Sequence, residues 1–330
     1  MAKSCRVLTR HPAPNPTESL VGYLLRLTEA NGYPNTHYMR ADSGRIGRGD
    51  SISVQLLASM TNRSARVLRP IAFRSQDKKK RLILGHVVAK SEVSAIMAPI
   101  CPRCVRERGF MEAHFHLCLM TMCPEHKMLL TVCPSCSKRL TWNRPGLLQC
   151  NCGQVLSHAE VQRVPTAVVE LLRIVRAKVL SLSSPTESVS GLPVQALRAM
   201  SLRSILLLIR TLGRRSAGDA GKAELSIDAS QIVELAAEVL SDWPNNFRTM
   251  LDAKAGPASP SNPSKLSKGP LTGLYGTIMH GFQQREESMF LRDEVVSRSV
   301  RPPLRQYFRD RKGTWHEFAK THRDLYATGN

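Results

Sequence analysis

Four close pairs of potential metal ligands, all between residues 101 and 152, constrain the fold of this chain more than any other feature. Seven cysteines and one histidine form them. The pairs are Cys101 with Cys104, Cys123 with His126, Cys133 with Cys136, and Cys150 with Cys152. Two ligands separated by two residues suit a tight turn that aims both side chains at one ion. Eight ligands are enough for two tetrahedral metal sites.

The simplest arrangement joins each pair to the next one along the chain. Site one then has the ligands Cys101, Cys104, Cys123 and His126, and site two has Cys133, Cys136, Cys150 and Cys152. The spacing is typical of zinc. We therefore expect two Zn²⁺ ions. Because each would have four protein ligands, and a catalytic zinc keeps one position open, we expect both ions to be structural.

Two other zinc proteins share parts of this pattern. A RING-type cross-brace would pair the first and third ligand pairs, but Lys127–Val132 is longer than the spacer of that family and apolar enough for a strand. The zinc deaminase signature needs its His-x-Glu before the cysteine pairs, whereas His158 and Glu160 follow them. Neither interpretation fits as well as sequential pairing.

Cys118 is left outside the four pairs. It lies in a segment that could form a strand, and we expect it to be a small buried hydrophobic residue. His114 and His116 would share its face of such a strand and could replace a ligand, which the sequence favours less.

Composition points to a polyanionic partner. The chain has 330 residues, 42% of them apolar, and a net charge of +21 with a pI of about 10.1. Such an excess favours nucleic acid or an acidic protein surface over a merely solvated face. The N-terminal Met1–Pro16 has no apolar signal region, and Ile205–Ile209 is too short to span a bilayer. We expect a cytoplasmic, nucleoid-associated protein with no membrane partner, whose reduced cysteines bind metal.

The N-terminal segment predicts several helices. The first begins at an Asn15 cap and ends at Asn31 and Gly32. Another starts at Ser53, and after a turn at residues 61–63 a further helix runs from Ser64 towards Pro70. Two short helices across such a turn resemble a helix-turn-helix, and a plain helical hairpin gives the same pattern.

Helical patterns also dominate the region after the cysteines, and a strand pair over residues 82–88 precedes them. The expected C-terminal helices are Ala167–Leu180, Ser201–Leu212, Ser230–Leu240, Leu271–Phe282, Met289–Val300 and Leu304–Arg311, with a linker at Asp252–Pro270. We predict a mainly α fold with three domains. These are an N-terminal helix-turn-helix-like domain (1–95), a central pair of small zinc-ribbon modules with short β-strands (96–160), and an all-α helical C-terminal domain (161–330).

Basic residues near the predicted turn, in a charge run and near the C-terminus are candidates for contact with nucleic acid or a protein partner. They are Arg63, Arg66, Arg69, Lys78, Lys79, Lys80, Arg305, Arg309 and Arg311. A solvated surface is the alternative for each group.

Two runs of this sequence resemble the TniQ family. One is Glu18–Leu27 followed by Glu29–Gly32, and the other is Met122–Lys127 leading into Cys133–Cys136, with the Cys-Asn-Cys-Gly segment at 150–153 closing the pattern. The chain departs from the family at Cys118 and Leu119, where a tryptophan is frequent, and at Asn62, where glycine is common.

The resemblance implies a target-site selector of a bacterial transposon that has no catalytic site of its own. Such proteins join a target-recognition complex, either a CRISPR effector with guide RNA or a DNA site, to the AAA+ regulator TnsC and so to the transposase. Relatives of the TnsD kind bind a chosen DNA site directly, and some relatives form homodimers. The alternative function is a zinc-dependent, sequence-specific DNA-binding regulator unrelated to transposition. An enzyme, either a ubiquitin ligase or a zinc hydrolase, fits the cysteine order least well.

Overall fold

In the described part of the chain the fold is mainly helical, with one small sheet and two clusters of cysteine and histidine side chains. The computed structural model describes residues 7–42, 53–157, 159–183, 186–217, 227–247 and 249–250. These residues divide into two compact units. The first contains residues up to 164 together with 175–183, and the second contains 165–174 together with those after 185. The three-domain division expected from the sequence stays a prediction.

Helix α1 (Leu20–Ala30) is central to the core of the first unit. Its leucines recur at helical spacing, so one face is apolar and packs against buried side chains of the neighbouring helices. Ser19 caps the helix by accepting the Gly22 N–H at 3.0 Å. Asn31 is the C-cap, and Gly32 follows in the left-handed region at φ 68°, as the sequence predicts.

The predicted start of this helix at Asn15 is wrong by several residues. Asn15 and Glu18 do bond reciprocally: the Asn15 N–H donates to Glu18 Oε1 at 2.7 Å, and the Glu18 N–H donates to the Asn15 carbonyl at 3.2 Å. No helix follows this turn directly: the Thr17 carbonyl accepts the Ala113 N–H at 2.8 Å, Glu18 forms a backbone bridge with Glu112, and Ser19 takes the capping role. Buried Glu18 also pairs with Arg26 at 2.7 Å. The sequence thus offers two helix caps close together, Asn15 and Ser19, and the helix begins after Ser19.

The next helices are short. Helix α2 (Thr36–Asp42) lies where the sequence analysis placed none. Helix α3 (Val54–Met60) has the Ser53 cap, and helix α4 (Ala65–Leu68) has the Ser64 cap, as expected. Asn62 lies between α3 and α4 at φ 47°. The pair therefore has the predicted turn, but α4 is a single helical turn.

A three-stranded antiparallel sheet follows. Its strands are β1 (Arg74–Ser75), β2 (Lys80–Ile83) and β3 (His86–Ala89), in the order β1-β2-β3. The β2–β3 pairing sets Arg81 opposite Val88 and Leu82 opposite Val87. The hairpin turns at Leu84 and Gly85, both in the left-handed region. This is the strand pair that the sequence predicts.

The cysteine segment departs from expectation in two ways. Helix α5 (Pro102–Arg108) begins at the first ligand pair, and a 3-10 turn (Ala113–His116) replaces the predicted strand around His114. In the described part of this segment the expected short strands are reduced to isolated bridges, such as Ile100 with Leu130. Cys118 is exposed, so its expected burial is wrong: one turn of 3-10 helix changes which side chains face the core.

In the second unit, α8 (Leu202–Ser216) packs against α9 (Ala229–Leu240). Helix α6 (Thr166–Leu180) contributes its first part to this unit, and the short α7 (Val194–Ala199) was not expected from the sequence. Asp228 caps α9 by accepting the Gln231 N–H at 2.8 Å. The predicted linker Asp252–Pro270 and the three helices expected beyond it lie outside the described residues.

Gly213 sets how closely α8 and α9 approach. A Cβ at this position would lie 2.1 Å from the Ile232 carbonyl oxygen. We therefore expect Gly213→Ala to destabilise the second unit by about 2–3 kcal/mol, because the helices must move apart. At an exposed helical site the same change would stabilise by about 0.5–1 kcal/mol. Thermal denaturation compared with exposed Arg214→Ala, which we expect to be nearly neutral, checks this. A stabilised Gly213→Ala protein would contradict the close approach.

None of the helices in the described part of the chain combines the length and apolar character needed to cross a membrane.

Candidate metal sites

Site one gathers its four expected ligands around one point. Their ligand atoms all lie within 4.8 Å of one another. The Cys104 sulfur is 3.5 Å from that of Cys123, and His126 Nδ1 lies 3.2 Å from Cys104, 3.4 Å from Cys101 and 3.6 Å from Cys123. All three cysteines are buried. The histidine thus presents Nδ1 to the three sulfurs.

Site two brings together the other four. Cys133, Cys136, Cys150 and Cys152 form the second group, again within 4.8 Å. The sulfurs of Cys133 and Cys152 are 3.7 Å apart, and those of Cys136 and Cys150 are 3.8 Å apart. This site is more open than site one, since Cys152 is exposed and Cys136 is half-buried.

Similar tight turns form three of the four ligand pairs. The Cys123 N–H donates to the Met128 carbonyl, and the Cys133 N–H donates to the Lys138 carbonyl. A residue with positive φ follows each pair: Lys127 at 52°, Ser137 at 56° and Gly153 at 88°. Gly153 accommodates the pair that is one residue shorter. The first pair differs because Cys101 is the N-cap of α5 and Cys104 lies in its first turn.

These distances fit a tetrahedral ion. Zinc–sulfur bonds of about 2.3 Å imply sulfur–sulfur edges of about 3.8 Å, and shorter edges where a nitrogen replaces sulfur. The observed 3.2–3.8 Å separations match that size. They exclude disulfides, whose sulfurs are about 2.05 Å apart. Each cluster could therefore hold a metal ion.

The electrostatics of the clusters also call for a cation. Hydrogen bonds from neighbouring thiols lower the pKa of Cys101 to about 3, while the same hydrogen bonds raise the pKa of Cys104. In site two, burial raises the pKa of Cys150 to about 12. One thiol therefore ionises easily, and its negative charge makes the neighbouring thiols harder to ionise. All of them can be thiolates together only when a cation offsets their charge.

Two side chains of α5 support site one from outside. Glu107 Oε2 lies 3.1 Å from His126 Nε2, so the carboxylate can accept that N–H and orient the ring with Nδ1 towards the sulfurs. Arg108 Nη1 donates to the Cys104 sulfur at 3.1 Å. Neither residue was predicted from the sequence, although the two follow Cys104 by three and four positions and so share its face of the helix.

Arg108 also belongs to a closed ring of alternating charges. Glu112 accepts from Arg108 at 3.3 Å and from Arg176 in two bonds of 2.9 Å. Glu125 completes the ring by pairing with Arg176 at 2.7 Å and with Arg108. Glu112 is buried, and both arginines pair with its carboxylate. The ring ties the second half of α6 to site one.

Arg144 is the largest fully buried side chain near site two, and sequence reasoning missed it. It is 1% exposed and donates to four backbone carbonyls, those of Ala98, Thr141, Gly146 and Leu147, at 3.0–3.2 Å. Burial lowers its pKa to about 10, and the negative charges of Cys150 and Glu29 act in the opposite direction. Arg144 is thus still charged at neutral pH and holds the loops around the site.

The predicted basic contacts differ in availability. Arg66 and Arg69 on and after α4 are exposed, as are Lys78 and Lys79 in the β1–β2 connection. Lys80 is half-buried and lies 3.8 Å from Asp77. Arg63 is half-buried and donates to the His11 carbonyl at 3.2 Å, which gives it a structural role. The remaining three, Arg305, Arg309 and Arg311, lie outside the described residues.

Comparison with known protein families identifies a match to part of the chain. The TniQ family model matches residues 9–130, a span that contains α1 and every ligand of site one. No curated protein matches the chain. The resemblance predicted from the sequence is confirmed: over residues 9–130 this chain is similar to the TniQ family, which is associated with transposition.

Proposed function

We propose that this chain is a non-enzymatic target-site selector of a bacterial transposon. It would join a target-recognition complex, either an RNA-guided CRISPR effector or a DNA site, to the AAA+ regulator TnsC and so to the transposase. The observation that carries this proposal is the TniQ match over residues 9–130. TniQ is a non-catalytic family associated with transposition targeting, and the net charge of +21 supports a nucleic-acid partner.

We further propose that both clusters hold Zn²⁺ in a structural role. Four protein ligands fill each tetrahedron and leave no position for water or a substrate. The surrounding protein groups support the same role, since Glu107 orients His126 and Arg108 donates to Cys104. The ions would fix the loops against α1, where Glu29 accepts the Leu147 N–H at 3.1 Å.

The alternative is a zinc-dependent, sequence-specific DNA-binding regulator with a helix-turn-helix. The α3–α4 pair with its turn at Asn62 supports that motif. However, α4 has four residues and so extends only about 6 Å. A helix of this length offers few side chains to base edges in a major groove, which favours phosphate or protein contacts over base-specific reading.

A charge-reversal experiment tests the proposed contact surface. We expect Arg66→Glu with Arg69→Glu to reduce binding to the target complex at least tenfold, because two exposed cations become like charges facing a polyanion. The matched control is Arg163→Glu with Arg173→Glu, which changes net charge equally at exposed positions elsewhere. Binding is measured by pull-down with TnsC, effector complex and target DNA.

The outcomes separate the two functions. If the unaltered chain retains TnsC together with an effector complex or target DNA, the adaptor function is supported. Binding to one DNA sequence without any retention of TnsC would favour the regulator instead. If the two double variants bound equally well, α4 would not be part of the contact surface.

A further inference from the structure

A cleft of about 890 Å³ in the first unit has no role in the metal sites. It lies between the N-terminal end of α1, the sheet and residues 141–143. Clefts of roughly 300–1,000 Å³ commonly bind small ligands. The volume of this cleft lies within that range.

The charges that line the cleft have one sign. Arg74, Arg81 and Lys90 lie along it, and neither Asp nor Glu is among its described lining residues. In the described part of the chain, none of these three cations forms an ion pair with a carboxylate. Their charge is therefore available to an anionic ligand.

Aromatic and apolar side chains form another part of the wall, beside several uncharged polar ones. His116 stacks on Trp142 with ring centroids 4.4 Å apart, and the half-exposed Phe73 meets His116 edge-on at 4.8 Å. His116 Nε2 lies 2.7 Å from Ser19 Oγ, and Nδ1 lies 3.3 Å from the Ser94 carbonyl. With both nitrogens occupied, His116 supports the wall, whereas Phe73 and Ile96, the latter 67% exposed, can meet a ligand.

The positive charge continues beyond the cleft along the same hairpin. Lys78 and Lys79 are exposed in the β1–β2 connection, three and two residues before Arg81. Cations repeated along a strand and its turn suit a polymer with repeated negative charge better than a single small anion. Aromatic and apolar surface between such cations is typical of sites for unpaired bases.

We propose that this cleft binds single-stranded nucleic acid, with an unpaired base against Phe73 and Ile96 and phosphates held by Arg74, Arg81 and Lys90. A duplex keeps its bases stacked inside and could offer the cleft only its backbone. An acidic peptide would satisfy the cations but would leave the aromatic wall without a stacking partner. The inference goes beyond the proposed adaptor role, because it concerns a chemical class of ligand and can be tested without TnsC or an effector.

The first test places a carboxylate on the rim of the cleft. Ile96→Glu should weaken binding of a fluorescent oligothymidylate of about twelve nucleotides at least tenfold, since the new charge repels phosphate. Val161→Glu is the matched control, because Val161 is 57% exposed and lies outside the cleft. We expect it to bind within twofold of the unaltered chain. Circular dichroism and metal content should match in all three proteins.

The second test counts phosphate contacts. For single strands, each lost contact reduces the slope of log K against log salt concentration by about 0.7. Arg81→Gln with Lys90→Gln should therefore reduce it by about 1.4, whereas exposed Arg163→Gln with Arg173→Gln should leave it unchanged.

Three results would overturn the proposal. One is equal oligonucleotide affinity for the Ile96→Glu and Val161→Glu proteins. Another is an unchanged salt slope in the Arg81→Gln, Lys90→Gln protein. The third is that the unaltered chain binds poly-glutamate more tightly than the oligonucleotide and that the Ile96→Glu protein no longer binds poly-glutamate. In that case the cleft would be a groove for an acidic protein segment. None of these results bears on TnsC retention, so the adaptor proposal is tested separately.

Discussion

Cys104→Ser is expected to remove one metal ion and to unfold the loops of site one, between residues 101 and 126. Cys104 is buried and lies within 3.5 Å of both Cys123 and His126. A structural zinc ion contributes roughly 10–16 kcal/mol of binding free energy in small domains, which is comparable to the whole stability of a typical protein. A segment held mainly by such an ion does not keep its fold without it.

Metal content and amide hydrogen exchange measure this effect. The Cys104→Ser protein should contain one equivalent less metal than the unaltered chain, and amides between residues 101 and 126 should lose protection. Chelation, which removes both ions, should expose all of residues 96–156 while α8 and α9 stay protected. The control is Cys118→Ser, because Cys118 is exposed and belongs to neither ligand group. It should keep the full metal content and fold.

A different outcome would end the zinc interpretation. If Cys104→Ser kept both equivalents and full protection, the cluster would not be a metal site. If the unaltered protein, purified and folded, contained much less than two equivalents of metal, the proposal for both sites would fail.

The ligands could be predicted from the sequence because each pair is a local feature. Spacing of two residues fixes a turn such as that from Cys123 to Lys127, and the structure places the same two groups of four together. The helix stripes of α1, α6, α8 and α9 are equally local, so their positions follow from periodicity.

The supporting groups could not be predicted because they depend on contacts between distant parts of the chain. Glu112 meets Arg176, which follows it by 64 positions, and Arg144 reaches the Ala98 carbonyl, 46 positions earlier. No periodic pattern marks such pairs. The start of α1 depends on distant contacts in the same way. Asn15 and Glu18 make local capping bonds, but the backbone at Thr17 and Glu18 bonds the distant Glu112 and Ala113, and the helix begins after Ser19.

Arg144→Ala is expected to destabilise the first unit by about 3–5 kcal/mol. The change would leave three buried carbonyls and one partly buried carbonyl without their donor, and each unsatisfied buried group costs roughly 1–3 kcal/mol before relaxation and water entry reduce the sum. It would also remove a positive charge near the thiolates of site two, since the charge of Cys150 acts on Arg144. Metal affinity at site two should fall about 10–100-fold, as expected when a supporting group is lost.

Two further variants show whether the donor geometry or the charge matters. Arg144→Lys keeps the charge but lacks the planar fork that serves four carbonyls, so it should recover metal affinity more than stability. Arg139→Ala is the matched control, because Arg139 is exposed in the same segment and should change stability by less than about 0.5 kcal/mol. Thermal denaturation and chelator competition provide the two readouts. Equal stability of the Arg144→Ala and Arg139→Ala proteins would show that water replaces the guanidinium at no cost and that Arg144 does not organise the site.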